Sequence, residues 1–485
     1  MVALTRSRED LARAGAGLSR SRLRPPAQPS RRVQERGECR RRADPHGCAS
    51  RALRRPDARG AACAAAIGCT DARGARRDRV RSRGDRRDGC RQVRRSGAMI
   101  DFSIPEETRL LVDTVRRFVE TEVQPLEDVV EQTATVPADA LAVTKAKAQK
   151  LGLYAMNMPA DVGGGGLSCV EHCLVEEEFG RTSDALIRRV FGQVYPMLMA
   201  CKGDQVERYL KPTVKGDKIC AMAITEPGAG SDAASISTTA HLDGDEWVLN
   251  GTKHFISDGD IADYIILMAL TDKDKRARGG ITLFLVDRDT PGFKVARTQP
   301  MMGHRGYGHA ELSFEDCRIP KAAVLGEVGG GFKLIMQSVL QIRLAHIGAR
   351  AVGMAQRALE MMRKHAGERR QFGQLIGEFQ MVQKLIADSA TEIFGVKMMV
   401  MNAAWDIDQG KDARDKVSMI KVAASEMQGR VVDRAIQVFG GMGFSKDLPL
   451  ERMYRDARVT RIYDGTSEIH RMLVARSTIK NGLQL

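Results

Sequence analysis

Hydrophobic side chains recur at helical spacing through residues 99–220. The apolar positions of the first such segment lie at i, i+4, i+7 and i+8, on one face of an α-helix: Leu111, Val115, Phe118 and Val119. The preceding Ser103-Ile-Pro-Glu106 has the spacing of a capping box with proline in the first turn. Helical patterns continue, interrupted by loops, so we predict an N-terminal α-helical domain.

The pattern changes to that of strands in residues 221–330. Two apolar runs, at 263–270 and 281–286, are rich in Ile, Leu and Val and have the length of buried strands. The dipeptides Asp243-Gly244 and Asn250-Gly251 are typical of hairpin turns. This part of the chain is predicted to be a β domain.

Helical periodicity returns after Gly331, through residues 375–393 and 431–439, and Gly440-Gly441 indicates a helix end. Strands and helices do not alternate, which excludes a doubly wound parallel sheet. We therefore predict an α+β multidomain protein. Its three domains are expected at residues 99–220, 221–330 and 331–485.

Charge is distributed unevenly along the chain. Residues 1–98 contain 27 Arg, no Lys, 10 acidic residues and no aromatic residue, whereas the remainder has 49 basic and 51 acidic residues. The high isoelectric point is therefore a property of the first 98 residues. The body of the protein is nearly neutral, so we expect no nucleic-acid partner.

We interpret residues 1–98 as translated GC-rich sequence upstream of the true start, with a disordered basic arm as the alternative. The segment is too poor in large apolar residues to offset the entropy cost of ordering it. Scattered acidic residues and sparse aliphatic ones disfavour a transit peptide. We expect a cytoplasmic protein of bacterial type, and a mitochondrial one only if this segment is a transit segment.

Neither cysteines nor glycines indicate a metal or phosphate site. Cys169 and Cys173 are four residues apart, but no second pair completes a zinc set, so we expect reduced, buried thiols and no metal. The run Gly163 to Gly166 follows no predicted strand and lacks Lys-Ser/Thr, which favours a flexible helix connection over a phosphate loop. No apolar run reaches the ~18 residues of a membrane span, so no membrane insertion is expected.

Several longer motifs occur in one order along the chain. They are Ala223-Ile-Thr-Glu-Pro-Gly-Ala-Gly-Ser-Asp232, Leu249-Asn-Gly-Thr-Lys-His-Phe-Ile-Ser257, Glu368-Arg-Arg-Gln-Phe-Gly373, Gln437-Val-Phe-Gly-Gly-Met-Gly-Phe444 and Tyr463-Asp-Gly-Thr466. In sequence and spacing they resemble the motifs of acyl-CoA dehydrogenases, and together they cover essentially all of residues 99–485. The resemblance implies an N-terminal helical domain, a central β-barrel or sandwich domain and a C-terminal four-helix bundle.

The resemblance also implies an FAD site. A flat, amphiphilic flavin needs apolar walls with a few hydroxyl and backbone donors. The residues assigned to the flavin and ribityl chain are Met222, Ile224, Thr225 and Ser231, with Phe255, Ile256 and Ser257 on the far side of the ring. Thr466 and Glu468, just after the last motif, are also assigned to the cofactor.

A second group of residues is implied to hold the pyrophosphate and adenosine of FAD across a subunit interface. Arginine is suited to diphosphate, and glycines let backbone amides approach it closely. The group consists of Arg369, Gln371, Phe372, Gln380, Gln437, Gly440 and Gly441. FAD binding would then require a homo-oligomer, a tetramer or a dimer.

Asp464 stands at the position of the family's catalytic base. From the residues alone, a carboxylate before Gly-Thr is more typical of a solvated turn. The family's usual base is glutamate, and its displaced alternative corresponds to Ile342, which cannot accept a proton. The resemblance therefore assigns removal of the acyl α-proton to Asp464, with its backbone N–H and a ribityl hydroxyl polarising the thioester. Burial beside an acyl chain should raise the pKa of this carboxyl.

The resemblance assigns substrate contacts to Ser231, Arg343 and Gly465. Leu340 is a departure, because many relatives have an aspartate there, near the CoA pantetheine. Aspartate as the base is one methylene shorter than glutamate, and about 1 Å of misplacement can cost about 10²-fold in rate. It also occurs in relatives that act on branched or unusual acyl chains.

The implied reaction is FAD-dependent α,β-dehydrogenation of an acyl-CoA thioester to the trans-2-enoyl-CoA, with electrons passed to an electron-transfer flavoprotein. One alternative is a flavin oxidase of the same fold, such as a nitroalkane oxidase. A second is a DNA-binding flavoprotein, which would need a basic face on the folded body. The near-neutral body disfavours that second alternative.

Overall fold

The computed structural model describes residues 103–482, so the interpretation of residues 1–98 lies outside the described residues. Helices come first and last in the described chain, and a β-sheet lies between them in sequence. The N-terminal helices are α1 (Glu106–Phe118), α2 (Glu127–Thr133), α3 (Ala138–Lys150), α4 (Cys169–Phe179), α5 (Asp184–Val190) and α6 (Lys211–Lys215). The C-terminal helices are α7 (Gly331–Ile342), α8 (Arg350–Glu368), α9 (Gln380–Asp408), α10 (Arg414–Phe439), α11 (Gly441–Phe444), α12 (Leu450–Val459) and α13 (Ser467–Asn481).

Eight strands form the middle sheet. They are β1 (Cys220–Ala223), β2 (Thr239–Asp243), β3 (Glu246–Ser257), β4 (Tyr264–Leu270), β5 (Ile281–Asp287), β6 (Phe293–Thr298), β7 (His309–Pro320) and β8 (Val324–Leu325). The strand order is β6-β7-β3-β2-β4-β5-β8, with β1 parallel to β4. A separate two-stranded hairpin, β9 (Arg370–Gln371) and β10 (Gln374–Leu375), lies between α8 and α9.

The fold class predicted from the sequence is confirmed: helical, sheet and helical domains follow one another. One hydrophobic cluster contains buried residues from all three, including Leu198 of the first domain, Ile266 of β4 and Val339 of α7. Burial of such side chains contributes about 1.5 to 3 kcal/mol each. A shared core of this kind fixes the three domains against one another where their elements meet.

Two local predictions were wrong. The N-cap of α1 is Pro105 rather than Ser103. Asn250-Gly251 is not a hairpin turn but lies inside β3, where the pairing with β7 shifts register. Gly251 is needed there because a Cβ would lie 2.5 Å from Thr238 Oγ1. Close approach between strands, rather than a turn, explains this glycine.

The predicted turn at Asp243-Gly244 and the predicted helix end at Gly440 agree with the structure. The turn at Asp243-Gly244 is present between β2 and β3, and α10 ends directly before Gly440. The loop at Gly163 to Gly166 connects helices, but it is tightly packed, since a Cβ on Gly164 would lie 2.2 Å from the Met158 carbonyl oxygen. The cysteines among residues 103–482 are free thiols, all buried except the half-buried Cys169. Within that range, no helix has the length and apolar character needed to cross a membrane.

Candidate active site

Asp464 lies in the short loop between α12 and α13, in a left-handed conformation with φ of 53°. Its backbone carbonyl accepts two hydrogen bonds, from Arg343 Nε at 2.8 Å and from His470 Nε2 at 3.1 Å. Gly465 follows with φ of 93°, and a Cβ there would lie 2.8 Å from His470 Nε2. The loop is therefore held through its carbonyl, which leaves the Asp464 carboxylate and N–H for other contacts.

The electrostatic surroundings of Asp464 combine burial with positive charge. Burial raises the pKa of its carboxyl above the ordinary value, while Arg343 and Lys421 favour the ionised form. Lys421 of α10 is fully buried, and its Nζ has no hydrogen-bond partner among the described residues. Burial lowers the pKa of this ammonium to about 8. A carboxyl whose pKa is raised, beside cations that favour its ionised form, suits the role of a general base.

The alternative position for a base holds no ionisable group. Ile342 ends α7 and is 5% exposed. Arg343 then opens a π-helical segment, Arg343–Ala349, that joins α7 to α8. Such segments are frequent at functional sites, and this one carries the arginine that binds the Asp464 carbonyl.

The first predicted group of FAD residues lies on β1, the loop after it and the end of β3. A buried ion pair holds the loop that follows β1. Lys253 Nζ donates to Ile224 O at 3.0 Å and to Glu226 Oε1 at 2.8 Å. Glu226 also accepts the Thr238 N–H at 2.9 Å. Four residues of the group keep accessible surface: Met222, Ile224, Thr225 and Ser231.

The end of β3 presents an unusual conformation. Phe255 has φ of 59° and is 49% exposed, although it is a large aromatic residue in a strand. Ile256 is buried, while Ser257 is half-buried and lies 3.3 Å from His309 Nδ1 through its hydroxyl oxygen. An exposed ring in a strained backbone conformation is typical of a ligand-binding position.

A cluster of rings connects β3 with the Asp464 loop. The His309 ring is stacked on that of His304, with centroids 5.6 Å apart, and Tyr307 packs beside both. The His304 ring lies 6.2 Å from that of Tyr463. A series of contacts therefore runs from Ser257 through these rings to Tyr463, the residue before Asp464.

The second predicted group assembles at one end of the C-terminal helices. His365 near the end of α8 stacks on Phe439 at the end of α10, with centroids 4.2 Å apart. This contact joins the end of α8, which precedes Arg369, to the end of α10, which precedes Gly440 and Gly441. All of the group is exposed, and the Phe372 side chain is 94% exposed. The exposed members are Arg369, Gln371, Phe372, Gln380, Gln437, Gly440 and Gly441.

Thr466 and Glu468 have local structural contacts in this chain. Thr466 is the N-cap of α13, and its hydroxyl accepts the Ile469 N–H at 3.3 Å. Glu468 is exposed in the first turn, where its backbone N–H and Thr466 lower the pKa of its carboxyl. Their assignment to the cofactor stays a prediction.

Three side chains of the site were not predicted from the sequence: Lys421, His470 and His309. Lys421 interrupts the apolar face that α10 makes with Val417 and Ala424, and a lysine on such a face is a recognisable signal. His470 lies six residues after Asp464, in the first turn of α13. No spacing rule indicated His309, which reaches the site only through pairing of β3 with β7.

One cluster outside this site has the composition of a metal site. The ligand atoms of His172, Glu176 and His346 lie within 4.8 Å of one another. However, Arg350 donates to both carboxylate oxygens of Glu176, and its guanidinium also contacts Asp184. A divalent cation would have to approach this buried arginine, so the ion pair is the better account of the cluster. The absence of a metal stays a prediction.

Family models match nearly the whole described chain. The N-terminal, middle and C-terminal domains of acyl-CoA dehydrogenase match residues 105–217, 221–317 and 329–479. The chain belongs to the acyl-CoA dehydrogenase family. Family members are FAD-dependent oxidoreductases.

Two curated relatives are each 39% identical to the chain. Acryloyl-CoA reductase (NADH) of Anaerotignum propionicum matches over 79% of this chain and 96% of its own length. The mitochondrial short-chain specific acyl-CoA dehydrogenase of Homo sapiens matches over 78% and 91%. A chain in the solved structure of the electron transferring flavoprotein of Acidaminococcus fermentans is 33% identical, with a TM-score of 0.73, over 79% of this chain and 100% of that one.

The residues of this acyl-CoA dehydrogenase suit FAD. Apolar surface at Ile224 and Phe255 remains open, and the hydroxyls of Thr225 and Ser257 lie beside it. Arg369 is an exposed cation, and Gly440 and Gly441 at the end of α10 are exposed as well. Apolar walls, a few polar groups and a phosphate-binding arginine are the components that a flavin dinucleotide requires.

Proposed function

We propose that this acyl-CoA dehydrogenase catalyses α,β-dehydrogenation of an acyl-CoA thioester to the trans-2-enoyl-CoA, with Asp464 as the base. The observation that carries the proposal is the setting of Asp464. The residue is half-buried, desolvation raises the pKa of its carboxyl, and the cations Arg343, Lys421 and Arg188 favour the ionised form. The displaced base position is filled by buried Ile342.

In this reaction the Asp464 carboxylate removes the α-proton and becomes a carboxylic acid. Bound FAD supplies the acceptor for the hydride that leaves the β-carbon. The Asp464 N–H polarises the thioester carbonyl, because donors aimed at a developing enolate oxygen stabilise the transition state. Arg343 and His470 bind the Asp464 carbonyl and so hold this N–H and the carboxylate in place.

We infer that Ser231, Arg343 and Gly465 contact the acyl-CoA, and that an electron-transfer flavoprotein accepts the electrons. Similarity to a chain in an electron transferring flavoprotein structure supports that partner. The relative named acryloyl-CoA reductase (NADH) runs the opposite net conversion. The experiment must therefore also determine whether the protein favours dehydrogenation or reduction.

We further infer a homo-oligomer, a tetramer or a dimer, in which the group around Arg369 binds the FAD of a neighbouring subunit. Exposure of Phe372 and Phe444, at 94% and 84%, supports an interface at this end of the helices. Large aromatic side chains are seldom left so exposed unless a partner or ligand covers them.

The experiment is anaerobic titration of the flavoprotein with straight, branched and aromatic acyl-CoAs and with a nitroalkane. We expect an acyl-CoA to bleach the flavin absorbance and the nitroalkane to leave it unchanged. Bleaching by the nitroalkane alone would identify an oxidase instead. Titration of dithionite-reduced protein with the matching enoyl-CoA, and electron transfer to an electron-transfer flavoprotein, then establish the favoured direction.

A further inference from the structure

Ser257 and His309 form a pair at the edge of the flavin-facing strand. They are direct partners in the antiparallel pairing of β3 with β7, and the Ser257 hydroxyl oxygen lies 3.3 Å from His309 Nδ1. The imidazole is buried, and its Nε2 has no hydrogen-bond partner within residues 103–482. One ring nitrogen therefore contacts Ser257, and the other makes no hydrogen bond to any described residue.

The surroundings of His309 keep its ring neutral. Burial lowers its pKa to about 4, and the neighbouring His304 and Arg188 act in the same direction. Asp184 and Asp258 oppose this effect, but both are occupied by arginines: Asp184 by Arg350, and Asp258 by Arg188 and Arg189. A neutral imidazole carries a single N–H, so one of its nitrogens is a donor and the other an acceptor.

The position of that N–H follows from the cost of burying unpaired groups. With the proton on Nε2, a buried N–H would have no acceptor, which is rare in folded proteins. With the proton on Nδ1, His309 donates to the Ser257 oxygen, and only an acceptor nitrogen is left unpaired. Ser257 then accepts from His309, so its own O–H is directed elsewhere.

We propose that His309 is a positioning residue for the cofactor: it holds the Ser257 oxygen as an acceptor, so that the Ser257 hydroxyl donates to the bound FAD. Stacking on His304 and packing beside Tyr307 fix the plane of the imidazole. The inference rests on FAD lying against Phe255 to Ser257. It does not depend on which acyl-CoA is the substrate.

The test compares His309→Asn with His309→Gln in the FAD-loaded protein without substrate. An asparagine amide N–H occupies roughly the place of Nδ1–H, whereas a glutamine amide lies near Nε2, out of reach of Ser257. The FAD dissociation constant and the flavin midpoint potential are measured for both variants, for Ser257→Ala and for the Ser257→Ala/His309→Gln double variant.

We expect His309→Gln and Ser257→Ala each to weaken FAD binding about 2- to 10-fold, as loss of one hydrogen bond would. Both should also move the midpoint potential in the same direction. His309→Asn should resemble the unmodified protein, and the double variant should be no weaker than Ser257→Ala alone. Equal effects of Asn and Gln, or an undiminished effect of His309→Gln in the Ser257→Ala background, would overturn the proposal. Wild-type FAD stoichiometry separates this outcome from failure of FAD binding itself.

Discussion

Arg343 Nε donates a hydrogen bond to the backbone carbonyl of Asp464 across 2.8 Å. The two residues are 121 positions apart, so the bond ties the α7–α8 junction to the loop before α13. The planar guanidinium of Arg343 points a fixed N–H at this carbonyl and also carries a positive charge. Lysine carries the charge but has no N–H fixed in that geometry.

Replacing Arg343 with Lys keeps the positive charge but removes the Nε hydrogen bond to the Asp464 carbonyl, so it should separate the two effects. We expect Arg343→Lys to retain FAD but to reduce its flavin with acyl-CoA about 10²-fold more slowly, because the loop that carries Asp464 loses one of its two anchors. Anaerobic stopped-flow absorbance gives the rate. Arg458→Lys, at an exposed position of α12, is the matched control. An unchanged rate in Arg343→Lys would show that the Nε bond does not position the base.

Lys421 should set the pH at which Asp464 works. Removing this buried ammonium in Lys421→Met takes away a charge that stabilises the carboxylate, so the pKa of Asp464 should rise further. The acid limb of the flavin-reduction rate should then move to higher pH. Lys384→Met, on the surface of α9, should leave the profile in place. An unshifted limb in Lys421→Met would refute the electrostatic role.

Arg369 should couple flavin content to assembly. If it binds the pyrophosphate of a neighbour's FAD, Arg369→Ala removes a charge-assisted bond worth about 1.5 to 3 kcal/mol. FAD occupancy and oligomer mass should fall together, as measured by absorbance ratio and light scattering. The control is Arg363→Ala, exposed on α8 but outside the predicted group. Full occupancy in Arg369→Ala would remove this residue from the cofactor site.

Two buried histidines should make the protein sensitive to mild acid. Burial lowers the pKa of both His309 and His470 to about 4. Their pKa in the unfolded chain is about 6.5, so between these values the unfolded state binds more protons, and stability falls as pH drops through this window. Each contributes up to about 3 kcal/mol. His470→Gln keeps a donor near Asp464 O but cannot be protonated.

We therefore expect the thermal midpoint of His470→Gln to fall less steeply between pH 6.5 and pH 4 than that of the unmodified protein. Differential scanning fluorimetry across this range measures the slope. His241→Gln, an exposed histidine of β2, provides the comparison. Identical slopes in all three proteins would mean that His470 does not titrate on unfolding as described.

The order of the domains and the long helices could be predicted because their hydrophobic periods are local. Asp464 could be placed in the site because it belongs to a contiguous motif. Lys421 and His309 could not, since each reaches the site by tertiary contact from an element distant in sequence. The hairpin turn predicted at Asn250-Gly251 was wrong for the same reason. The glycine is required by its close contact with Thr238, a residue of another segment.

Asp464→Glu asks whether the pocket is built around the shorter side chain. Glutamate adds one methylene in a half-buried loop whose carbonyl is already fixed by Arg343 and His470. We expect the longer acid to crowd the native acyl group, lowering the rate of flavin reduction and shifting preference toward less bulky acyl-CoAs. A rate that holds or rises on the native substrate would show that aspartate is merely tolerated.

The most direct test of Asp464 as the base is flavin reduction by acyl-CoA in Asp464→Asn. Asparagine has nearly the same volume and keeps the backbone N–H, so FAD and acyl-CoA should still bind, as spectral titration would show. Removal of the α-proton loses its acceptor, and no carboxylate stands at Ile342 to replace it. Loss of a general base typically costs about 10² to 10⁴-fold. We predict anaerobic flavin bleaching slowed by that factor, and bleaching at a near wild-type rate would contradict the role of Asp464.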